Sequence, residues 1–381
     1  MAKAVMIKVK PSVLKWARTT SGLEAREVEK KLKLKQESIN KLESHEDLVE
    51  LKLLERIAHL YKRPLVALLM LTPPQEPPQP HDFRKLPESS EGLLSSKALL
   101  AIRRARHAQS VAVELMEAVD KKKLYKELPN ITLEENPDEA AKRVKKVFNR
   151  LVGIQAKARS VEAAFENWKS CIESLGIIVF QANFPIEEIR GLSLKGEPPT
   201  MILNSTDTHN GKIFTLFHEL CHLLLGNDGI CSIDLSQDGR LGVETFCNNF
   251  AGYFLVTPEE LSRFILVKDG NWEPSDKELK ELSDRFKVSK PVILRRLINS
   301  GFTPAKYYSE MDGIWRSRPV KVSAGRPRQL PGYRKAIKRY GKPFVKLVLD
   351  AKSRNKITDS DAADYLNIKA DQFKALENAV T

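Results

Sequence analysis

The segment FTLFHELCHLLLG, residues 214–226, places two histidines and a glutamate inside an apolar stretch. Burying three ionisable side chains costs free energy unless each finds a partner, and a bound metal ion would be such a partner. In a helix, residues four apart lie on the same face, so His218 and His222 can both direct a ring nitrogen at one ion. Glu219 is rotated by about 100° from His218 and therefore lies beside the ion rather than among its ligands. The spacing predicts a metal site with a general base next to it.

This H-E-x-x-H arrangement is typical of zinc peptidases, in which Zn²⁺ acidifies a water molecule and polarises the scissile carbonyl. The glutamate takes the proton of the water and can return it to the leaving amine. An alternative is a pair of core histidines with a surface glutamate. Apolar residues cover most of this helix, however, so such histidines would each have to find several hydrogen bonds in the core. The sequence therefore favours a zinc site with Glu219 as the catalytic base.

A catalytic zinc usually has three protein ligands, so a third must follow the motif. The candidates are Asp228, Asp234, Asp238 and Glu244. We favour Glu244 because it lies at the start of a helix predicted at 243–256, which holds its side chain rigidly. By position alone, one of the three aspartates between the two predicted helices remains an alternative third ligand. Asn248 lies four residues after Glu244, on the same helix face, and is a candidate outer partner of the metal ligands.

FTLFHELCHLLL together with ETFCNNFAGYFLVTP resembles the ImmA/IrrE family of metallo-endopeptidases, which pairs HExxH with a downstream ExxxNxFAxxLLxP helix. The resemblance implies that Glu244 is the third zinc ligand. It also implies limited proteolysis of a protein substrate, typically a helix-turn-helix repressor. Cys221 stands where such motifs commonly have a small residue. We interpret it as a small core residue, although a thiolate there could compete for the metal or sense oxidation.

The elements around the motif predict a mainly α protein with a small β-sheet, of the α+β class. Short β-branched runs at 177–181, 189–194 and 200–204 predict three strands, and helices follow at 211–226 and 243–256. Thr257-Pro258 ends the second helix. The predicted organisation is a helix-turn-helix domain at 1–72, a proline-rich linker at 73–91, a helical connector at 92–175, a zincin-like metallopeptidase core at 176–304 and a basic helical region at 305–381.

The N-terminal 72 residues have the periodicity of about five short helices. The stretch from Leu14 to Leu65 is similar to the XRE/Cro-type helix-turn-helix, with its second helix at Ala25 to Leu32 and its recognition helix at Gln36 to Glu43. The resemblance implies that one set of side chains faces the major groove or its phosphates. These are Lys35, Gln36, Ser38, Asn40 and Lys41.

Three acidic residues of this module depart from the helix-turn-helix pattern. Glu29 occupies a position that normally holds a small buried residue, and Glu37 and Glu43 would meet DNA phosphates unfavourably. The alternative is that residues 1–72 form a dimerisation or substrate-docking module.

The chain is basic, with 63 Lys and Arg against 49 Asp and Glu and a net charge of +14. Such an excess favours a polyanionic partner. From Arg316 to Leu349 there are eleven basic residues and no acidic one. Tyr333 and Tyr340 alternate with these charges, as in proteins that bind single-stranded nucleic acid by stacking. A solvated basic face, or aromatic residues that belong to the core, would explain the same pattern.

The four cysteines have no CxxC spacing, and the chain does not begin with a secretory signal. The longest apolar runs are far shorter than the roughly 20 residues that cross a bilayer. We therefore expect a cytoplasmic protein that does not span a membrane. The sequence is also compatible with a homodimer.

Three functions fit these features. The first is a zinc-dependent endopeptidase that cuts a regulatory protein. The second is a DNA-binding transcriptional regulator whose metal domain has a sensing or a structural role. The third is a component of a mobile element or toxin–antitoxin pair, in which residues 1–80 restrain the protease. The intact glutamate of the motif favours the first, because a structural zinc site would close its fourth position with a protein ligand such as Cys221 or Cys231.

Overall fold

The computed structural model describes residues 5–76, 94–121, 129–148, 158–186, 189–226, 237–265, 270–317 and 330–380. The chain divides into two compact units, the first from Met1–His81, Lys85–Arg104 and Asn183–Glu188, and the second from Asp82–Arg84, Ala105–Ala182 and Ile189–Thr381. In the described ranges, no helix has the length and apolar character that a membrane crossing requires. The protein is mainly helical with small sheets, as the sequence predicts.

The described residues of the first unit form five short helices and a two-stranded sheet around an apolar core. The helices are α1 Pro11–Thr19, α2 Ala25–Leu32, α3 Ser38–Ser44, α4 Leu51–Tyr61 and α5 Leu65–Leu68, followed by the start of α6, Ser96–Ala118. Strands β1, Met6–Val9, and β2, Asp47–Glu50, pair antiparallel, with Val9 opposite Asp47. The helical periodicity did not predict this sheet, because each strand is four residues long and its partner is distant in sequence.

The acidic residues that depart from the helix-turn-helix pattern have internal partners. The Glu29 side chain is buried, and its Oε1 accepts a hydrogen bond from the backbone N–H of Ile39 at 3.0 Å, near the start of α3. Glu43 forms a bidentate pair with Arg18, with both N–O distances 2.7 Å, in which both side chains are largely buried. Glu37 accepts a hydrogen bond from the Asn40 amide at 2.7 Å. Glu29 and Glu43 therefore stabilise the bundle.

The second unit contains the rest of α6 and eleven further α-helices among the described residues. They are α7 Pro137–Val147, α8 Val161–Ser174, α9 His209–Leu225, α10 Gln237–Leu255, α11 Pro258–Leu261, α12 Asp276–Phe286, α13 Lys290–Asn299, α14 Lys306–Ser317, α15 Gly332–Ser353, α16 Asp359–Leu366 and α17 Phe373–Val380. A 3₁₀ turn at Ala370–Gln372 precedes the last helix. Several starts follow from capping side chains, as at Asn136, which accepts the N–H groups of Asp138 and Glu139.

Three strands form the sheet of this unit: β3 Ile178–Ala182, β4 Gly191–Leu194 and β5 Thr200–Asn204. Their order is β3-β5-β4, with β3 parallel and β4 antiparallel to the central β5. All five residues of β5 are buried, and the motif helix α9 packs against β4 and β5. The strands lie within one residue of their predicted positions, apart from the first two residues of 189–194.

An aromatic cluster holds α8, α9 and α10 together in the core. Phe217 of α9 stacks on Phe254 of α10 with ring centroids 4.2 Å apart, and Trp168 of α8 meets Phe217 edge to face at 4.9 Å. Such pairs contribute roughly 0.5–1.5 kcal/mol each beyond their burial. Phe217 directly precedes His218, so this packing also fixes the rotation of the motif helix.

The C-terminal helices α15 to α17 lie within the region 305–381, for which the sequence predicts helices. Helix α15 is kinked at Gly341, whose φ of 77° lies in the left-handed region, and it packs against β3. Tyr340 is buried between Phe180 and Phe344 and belongs to the core. It is therefore not available for base stacking, whereas Tyr333 is half-buried. Most of the basic run before residue 330 lies outside the described residues.

Candidate metal centre

The motif helix starts at a set of interacting polar groups, of which Asp207 is buried. The Thr208 hydroxyl caps α9 by accepting the N–H of Gly211 at 3.1 Å. Asp207 is buried and pairs with Arg190 at 3.0 Å, which connects the start of α9 to the residue before β4. A Cβ at position 211 would lie 2.4 Å from the Asp207 carboxylate, so glycine is required there. Helix α9 is thereby fixed at its start and by its aromatic neighbours.

Three side chains converge at the middle of α9. His218 Nε2 and His222 Nε2 are 3.1 Å apart, and each lies 3.2 Å from one carboxylate oxygen of Glu244 on α10. Within the described ranges, they form the one group of three histidine, cysteine or acidic side chains close enough to hold a common ion. The two histidines are 0% and 4% exposed, whereas the Glu244 side chain is 28% exposed. Solvent therefore reaches the group from the side of Glu244.

The distances and donor types fit a small divalent cation. Ligands bound at about 2.0–2.1 Å in a tetrahedron lie about 3.3 Å from one another, close to the three separations observed. Two imidazole nitrogens and one carboxylate oxygen are a donor set that Zn²⁺ accepts, and the set leaves a position for water or substrate. The three residues therefore could hold a metal ion.

The electrostatic environment of the group favours a positive charge. Burial alone raises the pKa of the Glu244 carboxyl, but the hydrogen bonds and charges of His218 and His222 outweigh it and hold the pKa below its ordinary range. Burial would lower the pKa of His222, yet its contacts with Cys247, Glu244 and Glu219 raise the pKa well above 6.5. A cation between these side chains is therefore stabilised.

Glu219 lies next to the candidate metal ligands and against strand β4. It is 1% exposed. A Cβ at Gly191, the first residue of β4, would lie 2.4 Å from Thr215 Cγ2 and 3.4 Å from Glu219 Cγ. Glycine thus lets the strand approach the turn of α9 that carries the glutamate. The proximity of Glu219 to both the ligands and β4 is the arrangement that a general base acting on a bound peptide requires.

On α10, Cys247 interacts with His222, one of the candidate metal ligands, and the sequence did not predict this contact. Cys247 is fully buried and interacts with the His222 ring and the Cys221 thiol, and burial raises its pKa. Asn248 is half-buried, and its side chain makes no hydrogen bond to another residue in the described ranges. An outer role for Asn248 stays a prediction. The spacing of Cys247 three residues after Glu244 was the signal that could have pointed to it.

Helix α10 begins at Gln237, six residues earlier than the sequence predicts. Asp238 therefore belongs to this helix rather than to a loop, although its side chain is not among those described. Asp228 and Asp234, which the sequence also allows as the third ligand, lie outside the described residues, as does Cys231. Glu244 is the acidic residue that the structure brings to both histidines.

The residues predicted to contact DNA lie in the first unit, on and before α3. Lys35, Gln36, Asn40 and Lys41 are exposed and Ser38 is half-buried. Helix α2 has the predicted bounds, whereas α3 begins two residues later than the predicted recognition helix.

Residues 172–298 match the Peptidase_M78 family model, the IrrE N-terminal-like domain. The matched segment contains the sheet, α9 and α10, and so all three candidate ligands and Glu219. No protein of curated function matches the chain. Because peptidases of this family are metallo-enzymes, the match supports a metallopeptidase in this part of the chain.

Proposed function

We propose that the protein is a zinc-dependent endopeptidase that performs limited proteolysis of a regulatory protein. One observation carries the proposal: His218, His222 and Glu244 place three zinc-type donors 3.1–3.2 Å apart, inside the segment that matches a metallopeptidase family. The intact glutamate of the motif distinguishes this site from a structural one, because a structural site has no use for a base beside the ion.

The roles of the residues follow from their positions. When bound, Zn²⁺ would acidify a water molecule and polarise the scissile carbonyl. His218, His222 and Glu244 would hold the ion, with the partly exposed Glu244 on the side from which solvent and substrate arrive. Glu219 takes the proton of the attacking water and delivers it to the leaving amine. Its burial shields the carboxylate from bulk water.

Strand β4 supplies a place for an extended peptide. It is at one edge of the three-stranded sheet, with β5 on its other side, and its first residue contacts the turn of α9 that carries Glu219. A peptide that adds to such an edge exposes its backbone carbonyls in a fixed register. This geometry favours internal cleavage of an extended segment over removal of a terminal residue.

A helix-turn-helix repressor is the substrate class that we propose, by analogy with the ImmA/IrrE family. The N-terminal module would raise the effective concentration of protease and repressor by bringing both to one place. Expression of the full chain and of Glu219→Gln in the same cells tests this. We expect one repressor to disappear with the wild type and to persist with the variant, as measured by quantitative proteomics of both cell populations.

Glu281→Gln provides a matched control, because Glu281 is an exposed glutamate on α12. It should behave as the wild type. A repressor that disappears equally with Glu219→Gln would contradict the peptidase, since the variant keeps the metal ligands but lacks the base.

The second candidate is a DNA-binding regulator, and the internal pairing of Glu43 with Arg18 favours it, because the carboxylate is then turned away from DNA phosphates. In this proposal Lys35, Gln36, Ser38, Asn40 and Lys41 form the contact surface. Replacing Lys41 with alanine should weaken duplex binding and reduce the slope of log affinity against log salt by about 1. Fluorescence anisotropy with the full chain measures both, and an unchanged slope would remove Lys41 from the DNA surface.

A further inference from the structure

A cavity of about 220 Å³ lies at the start of α9, among α8, β3 and α15. Its floor is formed by buried residues of three elements, Phe165 of α8, Gln181 of β3 and Lys212 of α9. Its rim carries exposed charges, Glu162 and Glu166 on α8 and Arg334 and Lys338 on α15. The motif histidines are not part of it, since Lys212 precedes His218 by six residues, or about 9 Å along the helix axis.

Lys212 is a buried cation without a counter-ion. It is 3% exposed, and no acidic group of the described chain lies within ion-pair distance of its ammonium, which is 5.1 Å from the centre of the Phe165 ring. Burial and the charge of Lys338 lower the pKa of Lys212 by more than the charges of Asp207, Glu166 and Glu162 raise it. Buried cations in proteins are normally paired, because leaving one unpaired costs several kcal/mol, on the order of the effective desolvation penalty of a single ion.

Gln181 contributes a polar group without a hydrogen-bond partner to the same floor. It is 4% exposed, and neither its amide oxygen nor its amide nitrogen has a hydrogen-bond partner. Each buried group left in this way costs about 1–3 kcal/mol. By contrast, the neighbouring Lys169 is satisfied by Glu173 at 3.0 Å, with both side chains buried. Lys212, which has no ion-pair partner among the described residues, and the Gln181 amide therefore face one cavity.

We propose that this cavity binds a small organic anion whose charged group pairs with Lys212 and whose neighbouring polar group hydrogen-bonds with Gln181. A metal cation is excluded by the ammonium on the floor, and an apolar ligand would leave the amide and the ammonium without partners. Lys338 and Arg334 add positive charge at the rim, while His209 at the start of α9 has its pKa lowered by burial and by Lys212. The volume is below the about 300–1,000 Å³ of drug-sized sites, which limits the ligand to a small metabolite.

A phosphate and a carboxylate can both pair with the Lys212 ammonium. A binding experiment shows which of the two the cavity prefers. Isothermal titration of the full chain with ribose 5-phosphate, inorganic phosphate and succinate identifies the charged group, and ribose is the neutral reference. We expect at least one of the three anions to bind with a Kd of about 1 mM or tighter, and ribose not to bind. If none of the anions binds, the cavity is not an anion site and the proposal is wrong.

Variants assign the binding to the cavity. Lys212→Met should weaken the anion about tenfold, the loss expected for one charge-assisted contact, and Gln181→Leu should weaken it less. Lys346→Met removes the same charge from an exposed position of α15 outside the cavity and should leave the Kd unchanged. Equal Kd values for Lys212→Met and Lys346→Met would overturn the proposal.

If the floor variants do not fold, the exposed rim residue Lys338 gives the same information, because Lys338→Ala removes a surface side chain. It should weaken the anion about threefold, and a Kd equal to that of the wild type, with Arg334→Ala also unchanged, would contradict the site. None of these measurements depends on peptidase activity. The anion site is therefore tested independently of the proposed function.

Discussion

The two halves of α9 differ in whether their buried charged side chains have a partner of opposite charge. Near its middle, His218 and His222 meet the carboxylate of Glu244, and each group has a partner at 3.2 Å. Two turns earlier, Lys212 is equally buried, yet the described chain gives it no counter-ion. The middle of this helix therefore provides side chains that could bind a cation. Its first turn provides a positive charge that could bind an anion. Burial alone therefore does not identify a site, whereas the partners of a buried charge indicate which ligand it needs.

The strongest predicted loss concerns the base at the metal site. Glu219→Gln should lower cleavage of the identified substrate by about 10²–10⁴-fold, the usual contribution of a general base, because the amide cannot take a proton. Metal content, measured by mass spectrometry of the purified chain, should stay at the wild-type ratio. Loss of metal together with activity would instead place Glu219 among the ligands. Glu281→Gln is the control and should change neither quantity.

The next effect is on metal affinity. Glu244→Gln should weaken Zn²⁺ binding by more than the about 10–100-fold that is typical of removing an outer partner, because a ligand oxygen and its negative charge are lost. Competition with a chromogenic chelator measures the Kd. An affinity equal to that of the Glu281→Gln control would exclude Glu244 as the third ligand. An aspartate from the segment outside the described residues would then be the candidate.

A smaller effect at the same site tests Cys247 as a positioning residue for His222. Cys247→Ala removes the thiol that interacts with the ring and should weaken Zn²⁺ binding about tenfold, whereas Cys247→Ser keeps a polar group and should recover most of the affinity. Cys171→Ala, which replaces a buried cysteine far from the ligands in sequence, is the matched control. If the alanine and serine variants bind Zn²⁺ equally well, the thiol only fills space.

The weakest effect is at the start of α9. Without added anion, Lys212→Met should raise the melting temperature by about 2–4 °C, the shift expected for roughly 1 kcal/mol in a domain of this size. The cause is that an apolar side chain replaces an uncompensated buried charge. Differential scanning calorimetry in a buffer without phosphate or carboxylate measures it. A lower melting temperature of the variant would mean that the Lys212 ammonium stabilises the folded protein.

The pH dependence of stability provides a second test of the same residue. The pKa of Lys212 is lower in the folded chain than its ordinary value of 10.5, so the unfolded state binds more protons between the two values. Wild-type stability should therefore rise relative to Lys212→Met as the pH rises through this window. A constant difference up to pH 10.5 would show that charge is not the cause.

Local features of the chain were predictable because they depend on neighbours in sequence. The i, i+4 spacing of His218 and His222 places both rings on one face, and Asn136 and Thr257 cap the helices that follow them. The three strands of the second unit were visible as β-branched runs. The sequence also indicated Glu244, but position alone left aspartates as alternatives, since the distance from α10 to α9 is not a local quantity.

Residue order alone thus specifies most of the helices and strands and the chemistry that one helix face can carry. Packing between elements selects which side chains become partners: Glu244 with both histidines, Cys247 with His222, and Glu29 and Glu43 with the interior of the first unit. Packing also places two residues on one cavity, Lys212 without an ion-pair partner among the described residues and Gln181 without a hydrogen-bond partner for its amide. Periodicity follows from backbone geometry along the chain, whereas burial and pairing depend on contacts between segments that are distant in sequence.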